Sequence, residues 1–247
     1  IILIPLSIIV SSILSWIFGM TLRPGWHSTI FGPYFVLGAL FSGVGVLIIT
    51  MWVYRKMYHL ENYFTDKHFV NLGYIMMVLA GGYGYFTFSE YFTSWFGSAK
   101  WDSDVIEKLF NPKEYGWWTL FANFAGIVLP IVIVAIPATR KRNWITLAAF
   151  LMVMALWVKR YLIIVPTLET PALPMQDTRL NYIKYTATWP EWALTFAGIA
   201  SFLLFFTIMS KFVTVVPVSE LEDTSHHPHH DQPAAKEVTE HAKKKKK

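Results

Sequence analysis

Residues 30–54 read IFGPYFVLGALFSGVGVLIITMWVY, a run of 25 residues without a charged side chain. A helix of about 20 apolar residues matches the roughly 30 Å hydrocarbon thickness of a bilayer. The run is apolar on every face, whereas a helix on the surface of a water-soluble protein carries a single apolar stripe. The segment therefore predicts a transmembrane helix.

Runs of the same kind lie on both sides of this segment and give six predicted spans. Their approximate bounds are 1–20, 30–54, 69–96, 116–138, 144–165 and 191–216. Membrane β-barrels are built from strands that alternate apolar and polar residues over about ten positions, and these runs do not alternate. The predicted fold class is therefore all-α, a polytopic membrane helical bundle of six transmembrane helices.

Composition agrees with a membrane protein and argues against nucleic acid as a partner. Hydrophobic residues make up 54% of the chain and charged residues 15%, against about 25% charged in an average soluble domain. The net charge of +5 is matched by the five lysines of Lys243–Lys247, so the basic balance belongs to the tail. The absence of cysteine excludes iron–sulfur ligation by cysteines of these 247 residues.

The loops between the spans differ in charge. Arg55, Lys56 and Arg140–Arg142 lie in loops on one side of a six-span topology, while cations on the other side are balanced by acids. The positive-inside rule then places both ends of the segment in the cytoplasm. Residues 218–247, rich in histidine and lysine, are predicted to form a disordered cytoplasmic tail.

Ionisable groups inside a bilayer cost about 2.5–3.5 kcal/mol on insertion scales, so they are candidate functional groups. Glu90 lies in the third span and is a candidate proton relay or cavity wall; the structural alternative is a carboxyl group buried for packing. Lys159 and Arg160 are adjacent and point about 100° apart on a helix, so they cannot share one partner. One is expected to pair inward, with Glu90 as a candidate partner, and the other to reach the interface.

The remaining candidates are weaker. Histidine titrates near neutral pH, which makes the loop before the second span a candidate partner-facing or quinol-facing segment. Ser28 or Thr29 could cap the second span, and Pro130 predicts a kink in the fourth. None of the eight histidines falls at predicted membrane depth, so no haem b and no metal site are predicted. The further polar-site candidates are Tyr83, Tyr85, Asn123 and Glu191, and the candidate loop residues are Trp26, His27 and Ser28.

The segment Pro24–Gly43, PGWHSTIFGPYFVLGALFSG, resembles the NrfD/PsrC family of polysulfide reductase-like membrane subunits. GYGY at Gly82–Tyr85, KRYLIIV at Lys159–Val165 and TWPEW at Thr188–Trp192 also fit that family. The resemblance covers roughly residues 1–217. It is greatest to the family members of bacterial alternative complex III, and the chain resembles their C-terminal part.

The resemblance implies a subunit of the bacterial inner membrane, built from two four-helix bundles, in a quinol-oxidising respiratory complex. Spans two to five would form the second bundle, whereas the family's quinone pocket is usually placed in the first. The implied partners are a ferredoxin-like iron–sulfur subunit, a paralogous NrfD-like subunit, multihaem cytochrome c subunits and membrane lipids. Iron–sulfur clusters and haem c would belong to those partners, and a quinol is the one cofactor expected near this chain.

Two alternatives to a proton-conducting subunit stay open from the sequence. A secondary transporter would suit a buried Glu90, but it predicts inverted repeats with paired broken helices. A purely structural membrane scaffold would use every buried polar residue for packing. Replacement of Glu90 by glutamine would separate this scaffold from a proton conduit.

Overall fold

The computed structural model describes residues 2–21, 25–26, 28–61, 63–97, 100–170 and 185–212. All regular elements within these ranges are helices, which confirms the all-α prediction. In chain order they are α1 (Leu3–Gly19), α2 (Phe31–Met57), α3 (Asp66–Phe96), α4 (Lys100–Phe110), α5 (Gly116–Asn123), a π-helix (Phe124–Val128), α6 (Leu129–Ala135), α7 (Arg142–Leu168) and α8 (Trp189–Phe212).

Five of the six predicted spans are helices that are long and apolar enough to cross a membrane. They are α2, α3, the continuous helix made by α5, the π-helix and α6, then α7 and α8. The first span is α1, a shorter apolar helix of 17 residues. The chain divides into two compact units, residues 1–185 and 186–247, of which the second holds α8. The predicted tail, 218–247, lies outside the described residues.

The first unit contains a four-helix bundle made by α2, α3, α5–α6 and α7, with α1 packed against α2. Successive helices run in opposite directions because short connections join them. Side chains from all four helices of the bundle form one apolar core. Its fully buried members include Phe41 and Ile48 of α2, Phe69 and Met76 of α3, Val134 of α6, and Ile145 and Met152 of α7.

Pro130 interrupts the fourth span through a π-helix. Proline has no N–H, so Pro130 cannot donate to the carbonyl four residues earlier. The turn before it is widened, and the N–H of Leu129 donates to the carbonyl of Phe124, five residues back. The sequence predicted a kink at Pro130. The structure shows this π-helical stretch, which begins directly after Asn123.

The loop predicted between the third and fourth spans contains a helix, which corrects the sequence-based interpretation. Helix α4 packs against α3, α5 and α7. Val105 and Leu109 on one face are buried with Leu162 of α7. Their i, i+4 spacing was a readable signal for an amphipathic helix. We call the end of the bundle covered by α4 the α4 end.

The opposite end, here called the Arg140 end, gathers the basic loops. Asp66 at the start of α3 forms ion pairs with Arg55 (3.3 Å) and Arg142 (3.0 Å), which ties the two basic loops together. Arg140 donates to the carbonyls of Val134 (2.9 Å) and Ala135, which are left without helical partners where α6 ends. The predicted clustering of cations at one end is therefore present in the structure.

Candidate functional site

Buried polar side chains are concentrated at the α4 end. Among the described residues, those whose side chains are buried and polar all belong to the C-terminal ends of α1, α3 and α7, to α4, or to the start of α5. They are Ser15, Thr87, Asp102, Thr119, Lys159, Thr167 and Thr170. Since a buried polar group costs free energy unless it is hydrogen-bonded, such a one-sided distribution marks this end as the candidate functional site.

Lys159 is the central charge of this site. It is 3% exposed, and its Nζ donates to the hydroxyl oxygen of Tyr91 and lies 3.4 Å from Oδ1 of Asn123. The ammonium group also sits 4.4 Å from the centre of the Tyr91 ring, a cation–π distance. Asn123 reaches it from the last residue of α5, directly before the π-helix.

Glu90 lies beside Lys159 in the wall of a small cavity. Tyr91 and Ser94 of α3, Lys159 of α7 and Asp102 of α4 line the same cavity. Among the described residues, no hydrogen bond to the Glu90 carboxylate is formed. Glu90 and Lys159 therefore share one small cavity without a direct ion pair between them.

The cavity measures about 40 Å³. One water needs roughly 10–15 Å³ of such volume, so the space suits two or three waters. Ligand pockets for drug-sized molecules measure about 300–1,000 Å³, so the cavity is too small for a quinol head group. Its small volume and the polar side chains within its largely apolar lining therefore fit water and protons.

A second polar layer lies deeper in the bundle, about one turn of α3 below Glu90. The hydroxyl groups of Tyr34 and Thr87 are 3.2 Å apart. The Tyr34 ring stacks on the ring of Tyr83, with centroids 4.7 Å apart. Beyond Tyr83 the buried side chains in the described part of the core are apolar, such as Phe41, Met76 and Met152. The polar groups thus reach part of the way through the bundle from the α4 end.

The loop before α2 is tied to the α4 end by two hydrogen bonds. Gly25 adopts a positive φ of 77°, which glycine tolerates, and its N–H donates to Oδ1 of Asp102 (3.0 Å). The indole N–H of Trp26 donates to the carbonyl of Ile163 (3.0 Å). Trp26 is 6% exposed and lines the cavity, so its side chain faces the interior rather than a partner.

A further group of contacts holds α4 over the site. Nζ of Lys108 donates to the backbone carbonyl of Glu169 (3.2 Å), where α7 ends. Oε1 of Glu169 accepts from the N–H of Tyr185 (2.9 Å). Burial, together with the nearby Glu169 carboxylate, raises the pKa of the Tyr115 hydroxyl, which stays protonated and available as a donor. Lys108 thus anchors the C-terminal end of α4, and Asp102, which accepts from Gly25, anchors its N-terminal end.

The other predicted residues divide between this site and elsewhere. Tyr85 is 66% exposed, because two helical positions separate it from Tyr83 and turn it to the opposite face of α3. Oε2 of Glu191 accepts from the N–H of Thr188 (2.6 Å), one half of a capping box at the start of α8. The backbone of Ser28 accepts from Phe31, and neither Ser28 nor Thr29 caps α2 with its side chain, which corrects that prediction. His27 lies outside the described residues.

Arg160 points away from Lys159 into a separate space. Its guanidinium carbon is 4.2 Å from the centre of the Phe35 ring, and it lines a cavity with Gly38 and Tyr83. The two adjacent cations therefore contact different groups, Lys159 with Tyr91 and Arg160 with Phe35. Lys159 is the one that turns inward.

Sequence reasoning missed Thr87, Tyr91, Tyr34 and Asp102. Three of them carried a signal: Thr87 and Tyr91 follow Tyr83 at successive steps of four on α3, and Asp102 begins the polar side of an amphipathic helix. Tyr34 carried no such signal, because an aromatic residue near a span end is most often an interfacial anchor.

These features define an integral membrane protein of several apolar helices with a polar, water-sized site at one end of its bundle. Residues 1–172 match the family described as "Polysulphide reductase, NrfD". The chain belongs to the NrfD family. An "Hdr-like menaquinol oxidoreductase integral membrane subunit" of Archaeoglobus fulgidus is similar, with 26% identity over 209 residues, 80% of this chain and 52% of that relative. The chain spans about half the length of this curated relative.

Proposed function

We propose that this chain is part of the membrane subunit of a quinol-linked electron-transfer complex, and that its α4 end exchanges protons with one side of the membrane. The observation that carries the proton role is the cavity shared by Glu90 and Lys159. Family membership and the similarity to a menaquinol oxidoreductase subunit support the quinol-linked role.

Glu90 has the chemistry of a proton acceptor in this arrangement. Its carboxylate faces a space for two or three waters, and the Lys159 ammonium offsets its charge from the same cavity. Tyr91 and Asn123 hold that ammonium in place. A proton arriving on the cavity waters can move to the carboxylate and leave again by the same waters, with no change in the packing around it.

The proton path proposed here is a half-channel. Below Glu90, the Thr87 hydroxyl bonds to that of Tyr34, whose ring stacks on Tyr83, and the described core beyond them is apolar. By the positive-inside rule, the cations of the Arg140 end support a cytoplasmic location for that end. The half-channel would then open on the opposite face, and protons from quinol oxidised in the paralogous subunit would leave through its cavity waters.

Electrons would leave through partner subunits. The 247 residues contain no cysteine for an iron–sulfur cluster. We therefore assign the redox centres to an iron–sulfur subunit and to multihaem cytochrome c subunits, as in alternative complex III. A second NrfD-like subunit would complete the membrane part. Within that complex we place this chain with the paralogue that does not hold the quinol site.

The test uses the native complex reconstituted in sealed vesicles. Replacing Glu90 with glutamine is expected to leave quinol oxidation within about twofold while lowering the protons released per quinol on the α4 side. Tyr85→Phe, on the lipid-facing side of the same helix, is the matched control and should change neither quantity. Proton release is followed with a pH-sensitive dye.

The rival function is a structural scaffold, and the same experiment decides it. A scaffold uses Glu90 only for packing, so Glu90→Gln would leave the protons released per quinol unchanged. In that case the role of the α4 end would be limited to holding the loop of Gly25 and Trp26 against α7, which the observed hydrogen bonds already accomplish.

A further inference from the structure

A second cavity, at the surface of the bundle, holds the Arg160 guanidinium group. Arg160 and Trp157 of α7, Ser42 of α2 and Tyr83 of α3 line it, and it measures about 210 Å³. Among the described residues, the Arg160 guanidinium makes no hydrogen bond and no ion pair. Its guanidinium carbon is 4.2 Å from the centre of the Phe35 ring, and the aromatic side chains of Tyr83 and Trp157 line the same cavity.

An arginine in this position needs an anionic partner. Guanidinium has five N–H donors in a planar fork, and a cation–π contact satisfies none of them. Lys159, its neighbour in sequence, has the oxygens of Tyr91 and Asn123 and the Glu90 cavity. That polar cluster faces the bundle interior, so it does not serve Arg160.

The depth of Arg160 suits the head group of a lipid. It lies eight residues before the last residue of α7, which corresponds to about 12 Å along the helix. The 27 residues of α7 span about 40 Å, so its ends extend about 5 Å beyond a 30 Å hydrocarbon core. The backbone of Arg160 therefore lies a short distance inside the hydrocarbon boundary. Its side chain is long enough to extend to the lipid head groups.

The walls of the cavity are complementary to a phosphate joined to an acyl chain. A Cβ atom on Gly38 would lie 3.1 Å from the Tyr83 ring and 3.6 Å from Nη2 of Arg160, so glycine keeps the notch open for the guanidinium. Val153 and Leu156 supply apolar wall below the charge, and Trp157 is 45% exposed at its edge. Arginine binds phosphate through two parallel hydrogen bonds.

We propose that the Arg160 cavity is a binding site for the phosphate of a membrane phospholipid, with an acyl chain along Val153 and Leu156. An anionic lipid such as phosphatidylglycerol is the preferred ligand, because its head group carries no ammonium to compete with Arg160. This proposal is independent of the proton role of Glu90.

The test measures retained and added lipid on the intact membrane protein. After mild delipidation, native mass spectrometry is expected to show one tightly held phospholipid per protein. Arg160→Gln should lose it, and Arg160→Lys, which keeps the charge without the fork, should bind phosphatidylglycerol at least tenfold more weakly. Lys56→Gln is the matched control, since Lys56 also lies over an aromatic ring, that of Trp52, at the other end of α2.

Three additions separate the sources of the ligand. Phosphatidylglycerol in detergent is expected to raise the thermal midpoint of the delipidated protein. A galactolipid without phosphate should have a smaller effect, and inorganic phosphate should have none. Retention of the lipid by Arg160→Gln would overturn the proposal, as would equal stabilisation by the galactolipid or displacement of the lipid by a quinone analogue. Stabilisation by inorganic phosphate alone would also overturn it, in favour of a free-anion site.

Discussion

The two halves of the helical bundle use the same four helices for different purposes. Towards the α4 end, Glu90, Tyr91 and Lys159 line a space for a few waters, and the Thr87 hydroxyl bonds to that of Tyr34 below them. Towards the Arg140 end, the same four helices contribute Ile48, Met76, Val134 and Met152, all without exposed surface. In the proposed function, water and protons enter one half, whereas the fully buried apolar side chains of the other half exclude them.

A charge placed in the apolar half should have the largest effect. Lysine and methionine have similar size, so Met152→Lys changes mainly charge. We expect it to cost at least the roughly 2.5–3.5 kcal/mol of membrane insertion, because no polar group of the described core faces Met152. The yield of folded protein, measured by size-exclusion chromatography with fluorescence detection, should collapse.

Met152→Leu is the control for that substitution. It keeps the volume and should cost less than about 1.5 kcal/mol. If Met152→Lys folds as well as Met152→Leu, the apolar half already contains water and the contrast between the halves fails.

Loss of the Tyr91 hydroxyl should have the next largest effect. Tyr91→Phe removes the oxygen that accepts from Lys159 and leaves a buried ammonium with fewer partners. A hydrogen bond to a charged group contributes about 1.5–3 kcal/mol. Thermal unfolding in detergent should show the loss, while Tyr85→Phe, on an exposed position, should stay within about 0.5 kcal/mol of the parent.

Replacing a tightly packed glycine of the apolar half with alanine should lower stability by a smaller amount. A Cβ atom on Gly45 would lie 2.4 Å from Cε of Met152 and 3.0 Å from Cγ2 of Val153. Because the Met152 methyl group is the end of a flexible chain, Gly45→Ala should destabilise by about 1 kcal/mol, the low end for overpacking.

Gly43→Ala is the matched control on the same helix. A Cβ atom there meets nothing within 4 Å, so alanine should stabilise by up to about 1 kcal/mol through its higher helix propensity. Equal effects of the two substitutions on the thermal midpoint would show that packing around Met152 is loose.

The ion pairs at the Arg140 end should have the smallest effect. Asp66 bridges Arg55 and Arg142, but its side chain is 68% exposed. Exposed pairs typically contribute less than about 1 kcal/mol and weaken with salt. Asp66→Asn should therefore lower stability slightly at low ionic strength and leave it unchanged in 1 M salt. A large loss that persists in high salt would show that this cluster organises the bundle.

Much of the fold could be predicted from sequence because a helix that spans the membrane must have a certain length and must be apolar on every face. Helix α7 extends only two residues before and three beyond its predicted span. The prediction failed where the chain leaves the bilayer. Helix α4 has mixed polarity, and its burial against Leu162 depends on which helices lie beneath it.

The candidate site was only partly predictable. A charge at membrane depth is visible in sequence, and that rule found Glu90 and Lys159. Their surroundings depend on how α3 and α7 are rotated, which sequence spacing alone does not give. For this reason Tyr85 was included although it faces outward, and Tyr91, the closest partner of Lys159, was missed.

Accessibility of single cysteines tests the central claim most directly, because these 247 residues contain no cysteine of their own. Ser94→Cys places a thiol in the Glu90 cavity, and Ala80→Cys places one in the fully buried core about four turns away on the same helix. The complex in sealed vesicles would be treated with a membrane-impermeant thiol reagent from either side. We predict that Ser94→Cys reacts from the α4 side and that Ala80→Cys reacts from neither. Reaction of Ala80→Cys at a comparable rate, or of Ser94→Cys from the Arg140 side, would contradict the half-channel.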